Sequence, residues 1–399
     1  MRILSVNHTS RQSGAELSLL GSLAALPATV ETSLVCPEGP LAEAARTIGI
    51  PVAPIREIEG SLRLHPWHTP RAVTAMAGAS RIVRRRARSL AADLIHANST
   101  RAALVATLAA RAGGPPVVVS VHDCLPAGPA AELTRRVINA GAAMVLANSR
   151  YTAKTLRPTH NGPPIRIVYP PVELERFDPE KVDRAQARAR LGVEGSAAVL
   201  GVVAQLTPWK DQDTALRTLA RVRRARPDAI LFLVGEAKFV SKASRYDNEA
   251  YVRSLHRRVA ELGLGDAVEF LGHREDVPEV LRAFDLLLVP SWEEPFGMSM
   301  IEAMAMGTPV LATEVGGPSE VIEDGRNGCL LPPRRPEIWA QAAESVLGQP
   351  DLRMRLGREG RRTAGRFSLD RHVDALVASY REVLEQATDS PARPQVHVA

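Results

Sequence analysis

Short apolar runs alternate with longer amphipathic stretches along nearly the whole chain. In the first half the runs fall at 2–7 (RILSVN), 31–36, 93–98 (DLIHAN), 116–122, 142–148 and 165–169. Helical periodicity occupies the intervals, as at 15–26, 39–48, 71–90 and 100–112. The second half repeats the scheme, with runs near 198–206, 229–235 (AILFLVG), 267–272, 286–290 and 308–313. Strands that are apolar throughout need cover on both faces, which parallel sheets flanked by helices provide. The pattern therefore predicts an α/β chain of two doubly wound, Rossmann-like parallel-sheet domains facing across a cleft. Ligands in such folds bind beyond the carboxyl ends of the strands.

The join is expected within 168–195. There Tyr169-Pro170-Pro171, a charged stretch, Gly192 and Gly195 read as a linker. The expected domains are 1–175 and 176–368. A helix at 369–387 packs back on the first domain, and 388–399 forms a flexible tail.

Composition narrows the class. The 399 residues, 45% apolar and 24% charged, suffice for two soluble cores without disulfide or metal support. Cys36, Cys124 and Cys329 are odd in number and form no C-x-x-C pair, so reduced thiols and a cytoplasmic setting are expected. Arg11, Gln12 and Glu16 interrupt any signal-peptide core, and no apolar run approaches membrane-spanning length. Net charge is +6, with residues 1–180 at +7 (20 Lys+Arg, 13 Asp+Glu) and the remainder at −1. A basic first half suits an anionic neighbour. Arg81, Arg84, Arg85 and Arg88 share one helix face, which is either a solvated basic face or a peripheral contact with the inner membrane surface. No aromatics interleave with these arginines and aromatics total 4%, which argues against a nucleic-acid partner. The Arg and Ala bias points to a GC-rich bacterial genome and bears on source alone.

The densest chemical signal is Pro290–Gly317, PSWEEPFGMSMIEAMAMGTPVLATEVGG. A strand leads into a loop, and a helix opens at Gly297. Free amides at Gly297, Met298 and Ser299 suit a phosphate at the positive end of the helix dipole. Glu302 lies one turn down the face of Met298, placed to accept hydrogen bonds from a ribose diol. Glu294 precedes the helix, so the two carboxylates flank its start and could hold two ends of one extended ligand. Taken alone, each has a lesser alternative as a capping or solvated surface residue.

Glu294-Pro-Phe296-Gly297, Glu302-Ala-Met-Ala, Gly307-Thr-Pro-Val and Gly316-Gly317 resemble the signature of family four retaining glycosyltransferases of the GT-B fold, also called glycosyl transferases group 1. The glutamate spacing matches that family's E-x7-E motif. The resemblance implies that Glu294 touches hydroxyls of the donor sugar, Glu302 binds the ribose, and the turn Gly297–Ser299 holds the diphosphate. In Gln205-Leu-Thr-Pro-Trp-Lys210 it implies that Lys210 meets the diphosphate. Gln205 stands where the family usually has arginine, removing one charge-assisted bond. Backbone at Leu271, Gly272 and His273 is implied to read the base, with His273 itself as ordinary a loop residue as a contact. In the first domain the resemblance places Gly14 beside donor and acceptor and His122 beside the transferred sugar, the alternative for His122 being a satisfied core histidine.

Asp211-Gln212-Asp213 spells a D-x-D, but it begins a helix, where aspartate is a favoured cap. No metal and no cofactor beyond the nucleotide-sugar co-substrate are expected. The expected function is retaining transfer of a hexosyl or N-acetylhexosaminyl unit from a UDP- or GDP-sugar to a hydroxyl of an envelope glycan, lipid or natural product. No residue is placed as a covalent nucleophile, so retention falls to front-face attack assisted by the departing phosphate. Domain closure over the site would exclude water. A nucleotide-sugar epimerase or a non-catalytic nucleotide-sugar-binding protein would use the same motifs.

Overall fold

A computed structural model describes residues 1–58, 68–111, 113–238 and 245–389. The chain divides into two compact units. One comprises Met1–Asn148, Thr152–Val168 and the chain from His372; the other comprises Ser149–Tyr151 and Tyr169–Arg371.

The first unit holds strands β1 (Arg2–Val6), β2 (Glu31–Cys36), β3 (Val52–Pro54), β4 (Leu94–Ala97), β5 (Val117–Val121), β6 (Met144–Ala147) and β7 (Ile165–Ile167). They form a parallel sheet in the order β3-β2-β1-β4-β5-β6-β7. The second unit holds β8 (Val199–Val203), β9 (Ile230–Val234), β10 (Val268–Gly272), β11 (Leu286–Val289), β12 (Val310–Thr313) and β13 (Cys329–Leu331). These are likewise parallel, in the order β10-β9-β8-β11-β12-β13.

Pleating explains why these strands are apolar at every position. In β11, Leu286 and Leu288 enter one core of the second unit, whereas Leu287 and Val289 enter the core on the opposite face. β9 does the same with Leu231 and Leu233 against Phe232 and Val234. Successive side chains point to opposite faces, so both must be apolar when both faces are covered. The short edge strands β3, β7 and β13 offer little unpaired backbone to other chains.

The segment read as a linker is mostly part of the second unit. Only its first residue pair lies at the division; beyond it Val172, Phe177 and Ala187 are buried in the core, and a helix spans Arg184–Arg190. The last helix, Leu369–Asp389, crosses the division near its start. Its Tyr380 hydroxyl lies 2.9 Å from Nδ1 of His96, whose Nε2 meets Ser120 Oγ at 2.7 Å, so a histidine inside β4 is satisfied at both nitrogens. Most of the tail expected to be flexible, 390–399, lies outside the described residues.

Gly201 in β8 is a packing requirement. A Cβ there would stand 1.9 Å from Cε2 of Phe284, whose ring stacks on Phe232. Gly201→Ala is expected to destabilise the second unit by about 1–3 kcal/mol through overpacking. Denaturant unfolding monitored against wild type checks this.

Candidate active site

In the second unit, three loops converge beyond the carboxyl ends of β8, β11 and β12. After β8, Pro208–Lys210 makes a 3-10 turn, which ends on Asp211 in the left-handed region at φ 52°. Lys210 Nζ sits 4.1 Å from the centroid of the Trp209 ring and donates to Glu294 Oε2 at 2.7 Å. Glu294 is 3% exposed, and the same oxygen accepts from Ser291 Oγ at 2.6 Å. Burying a carboxylate is costly unless it is paired and hydrogen-bonded, and here both conditions hold. Oε1 carries no hydrogen bond among the described residues, so one acceptor of a fixed carboxylate remains for a ligand hydroxyl.

The loop carrying Glu294 is gripped by the one after β12. Glu294 N donates to Val315 O at 3.1 Å, and Gly317 N donates to Glu294 O at 2.8 Å. A Cβ on Gly316 would lie 2.0 Å from Glu294 O, and one on Gly317 would lie 2.5 Å from Phe296 Cα. The Gly316-Gly317 pair thus permits a backbone approach that any side chain would block.

Gly297, at φ 98°, precedes the helix Met298–Ala305. The amides of Gly297, Met298 and Ser299 open this helix and have no carbonyl within it to bond, so they suit an anion. The Phe296 side chain is 2% exposed and packs against Tyr169 and Phe367 in the core. Its part in any site is therefore played by backbone. Glu302, half-buried on the same helix, is pushed up to about 7, chiefly by burial. Arg176 opposes that shift and Glu173 adds to it.

Gln205 is half-buried, and its carbonyl accepts from Gln212 Nε2 at 3.0 Å. At the end of β10, Gly272 sits at φ 64° and its carbonyl accepts from Gly235 N at 2.7 Å. Leu271 is half-buried and the His273 side chain is exposed. The D-x-D aspartates are engaged locally. Asp211 accepts from Thr214 Oγ1 at 2.7 Å, and Asp213 accepts from Arg217 and Arg258 at 2.6 Å each.

In the first unit, Gly14 begins the helix Gly14–Ala25, and His122 follows β5. His122 Nε2 lies 3.1 Å from Asn98 Oδ1. Burial, with His372 nearby, lowers this histidine to about 4, so it is uncharged at neutral pH. On the helix His68–Leu90, Arg81, Arg85 and Arg88 are exposed and Arg84 is half-buried.

Within the second unit the structure brings Lys210 and Glu294 into contact, with Gly297–Ser299 and Glu302 on the adjoining helix. Ser291, Trp209, Glu173 and Arg176 escaped sequence reasoning, as did Asn7, Glu16 and Asn98. Ser13-x-x-Glu16 has capping-box spacing, a signal visible in the sequence. Asn7 and Asn98 each follow a strand by one residue and gain meaning only once β1, β4 and β5 are known to be neighbours.

Two parallel-sheet units, one with a buried lysine–glutamate pair beside an open helix start, define a GT-B glycosyltransferase. Residues 183–363 match the glycosyl transferases group 1 profile, and residues 13–176 match glycosyltransferase family 4. The chain is similar to a D-inositol 3-phosphate glycosyltransferase of Saccharomonospora viridis, 36% identical over 73% of this chain and 70% of that relative. The Salinispora arenicola protein of the same description is 33% identical over 73% and 69%. Among solved structures, Anabaena HepE in complex with UDP-glucose superposes with a TM-score of 0.80 at 25% identity, covering 98% of this chain and 100% of that one. Sucrose-phosphate synthase from Thermosynechococcus elongatus shares the fold, with a TM-score of 0.78 at 22% identity over 97% and 100%. The chain belongs to the glycosyl transferases group 1 family. Among the described residues no helix is long and apolar enough to cross a membrane.

Glu302 generates a pH prediction. Burial pushes its carboxyl up from an ordinary 4.5 to about 7, so the folded state holds the proton more tightly. The associated stability is fully present below 4.5 and is lost as pH rises through about 7. Glu302→Gln removes that dependence. The melting temperature of the variant relative to wild type should therefore rise between about pH 5 and pH 8, as thermal melts across that window will show.

Proposed function

We propose that this glycosyltransferase transfers a hexosyl or N-acetylhexosaminyl unit from a UDP- or GDP-sugar to a hydroxyl of an envelope glycan, lipid or natural-product acceptor. The transfer retains anomeric configuration and uses no metal ion. One observation carries the reading: Lys210 and Glu294 meet at 2.7 Å beside the amides that open the helix at Gly297. The amides of Gly297, Met298 and Ser299, together with Lys210, stabilise the diphosphate as charge develops on it. Glu294 Oε1 accepts from sugar hydroxyls, Glu302 accepts from the ribose diol, and backbone at Leu271–His273 meets the base. In the bond-making step the acceptor oxygen joins C1 from the face that the diphosphate leaves. The C1–O bond to phosphate breaks, and the acceptor proton passes to the departing phosphate oxygen. Catalysis then rests on positioning and on charge stabilisation.

The solved UDP-glucose complex of HepE favours a uridine donor. The description shared by the curated relatives makes a phosphorylated cyclitol one acceptor to include in a screen. The reading extends to a cytoplasmic enzyme whose Arg81, Arg84, Arg85 and Arg88 contact anionic lipid at the membrane face.

Thermal-shift screening of nucleoside diphosphates, followed by turnover of the matching sugar donors, tests the proposal. Lys210→Ala should lower kcat by about 10²–10³. Glu302→Ala should weaken nucleoside diphosphate binding, whereas Glu294→Ala should preserve that binding and abolish transfer. Calorimetry that finds no heat with any sugar nucleotide would refute the assignment.

A further inference from the structure

Four polar side chains at the carboxyl edge of the first sheet form one directed chain of hydrogen bonds. His122, after β5, meets Asn98 Oδ1 through Nε2 at 3.1 Å. Asn98, after β4, donates from Nδ2 to Asn7 Oδ1 at 3.2 Å and toward the Ala15 carbonyl at 3.4 Å. Asn7, after β1, donates from Nδ2 to the Thr9 carbonyl at 2.8 Å and to Glu16 Oε1 at 3.2 Å. Glu16 ends the chain and also accepts from the Ser13 amide at 3.2 Å and from the Ser13 hydroxyl. Asn7, Asn98 and Glu16 are each at most 3% exposed.

The direction of this chain is forced. A backbone carbonyl only accepts, so the Asn7 atom facing Thr9 O must be the amide nitrogen. Reversing that amide would set two oxygens 2.8 Å apart in a buried site. With Asn7 fixed, its Oδ1 faces Asn98, and the Ala15 carbonyl faces the same Asn98 atom, so that atom must be nitrogen as well. Asn98 Oδ1 is left facing His122, and only a protonated Nε2 can satisfy it. The His122 carbonyl accepts from Asn148 Nδ2 at 2.8 Å, which holds the backbone beneath the ring.

We infer that Asn98, Asn7 and Glu16 are positioning residues: together they fix His122 as its Nε2–H tautomer and leave the Nδ1 lone pair to accept a hydrogen bond from a substrate hydroxyl. The inference rests on the glycosyl-transfer reading for the identity of that hydroxyl, and on the hydrogen-bond geometry alone for the tautomer. His122 then orients a hydroxyl and cannot donate to the diphosphate from Nδ1. Because Ala15 lies in the first turn after Gly14, the relay also ties the opening of that helix to the histidine ring.

Long-range nitrogen–proton NMR on 15N-histidine-labelled protein reads the tautomer directly, with His122 assigned by the signals lost in His122→Gln. At pH 7 the expected pattern is neutral imidazole protonated at Nε2. An Nδ1–H pattern or an imidazolium overturns the inference, and this spectrum requires no relay variant to fold. Asn98→Leu should yield mixed tautomers and lower kcat for sugar transfer on the order of a hundredfold. Asn98→Asp keeps an oxygen toward Nε2, so it should retain the Nε2–H tautomer, but its second oxygen faces Asn7 Oδ1 and the Ala15 carbonyl, so it should recover only part of that loss. If Asn98→Leu still shows pure Nε2–H, Asn98 does not set the tautomer and the relay is refuted. If the tautomers behave as expected but no nucleotide sugar is turned over, the relay stands and the proposed function fails.

Discussion

The buried ion pair between Lys210 and Glu294 is the constraint around which the second unit's loops are arranged. A carboxylate at 3% exposure is tolerable only with a cation and a hydrogen-bond donor in place, and Lys210 and Ser291 supply both to one oxygen. Holding the lysine there requires the turn Pro208–Lys210 to end abruptly, which Asp211 achieves by adopting a left-handed backbone. Holding the glutamate requires its main chain to be gripped by Gly316 and Gly317. The residues of the long motif thus divide into those that present charge and those that let backbones approach. Both kinds are needed for a carboxylate with one satisfied and one open oxygen.

Much of this was legible in the sequence because apolar strands and glycine-bounded loops carry strong local signals. All the longer strands were readable from continuous apolar runs, and the helix start at Gly297 from the loop before it. β3 and β13 were not readable, since each has three residues closed off by a proline, Pro54 or Pro332, whereas β7, equally short, belongs to the longer apolar run 165–169. Residues 169–195 misled for a related reason. Prolines, glycines and charges look like a linker, yet Val172 and Phe177 are core residues whose burial depends on partners far along the chain, such as the backbone of Phe367 and Ser368.

The candidate site was legible where chemistry sits within one motif and opaque where it is assembled across the sheet. Glu294, Glu302 and Gly297 lie within nine residues of one another, so spacing alone related them. Phe296 belongs to the same motif, yet its ring is committed to the core, which no spacing reveals. The relay in the first unit draws on Asn7, Asn98 and His122, which are separated by up to 91 residues between neighbours. Only the strand order makes them adjacent.

The helix Leu369–Asp389 carries a consequence for biosynthesis. Tyr380 completes the hydrogen bonding of His96, a residue 284 positions earlier and inside β4. A chain emerging from the ribosome therefore cannot satisfy that buried imidazole until Tyr380 has been made. The usual order, in which amino-terminal domains mature first, is reversed in part. The second unit has its full complement of residues by Arg371, while the first remains unfinished until Tyr380 follows.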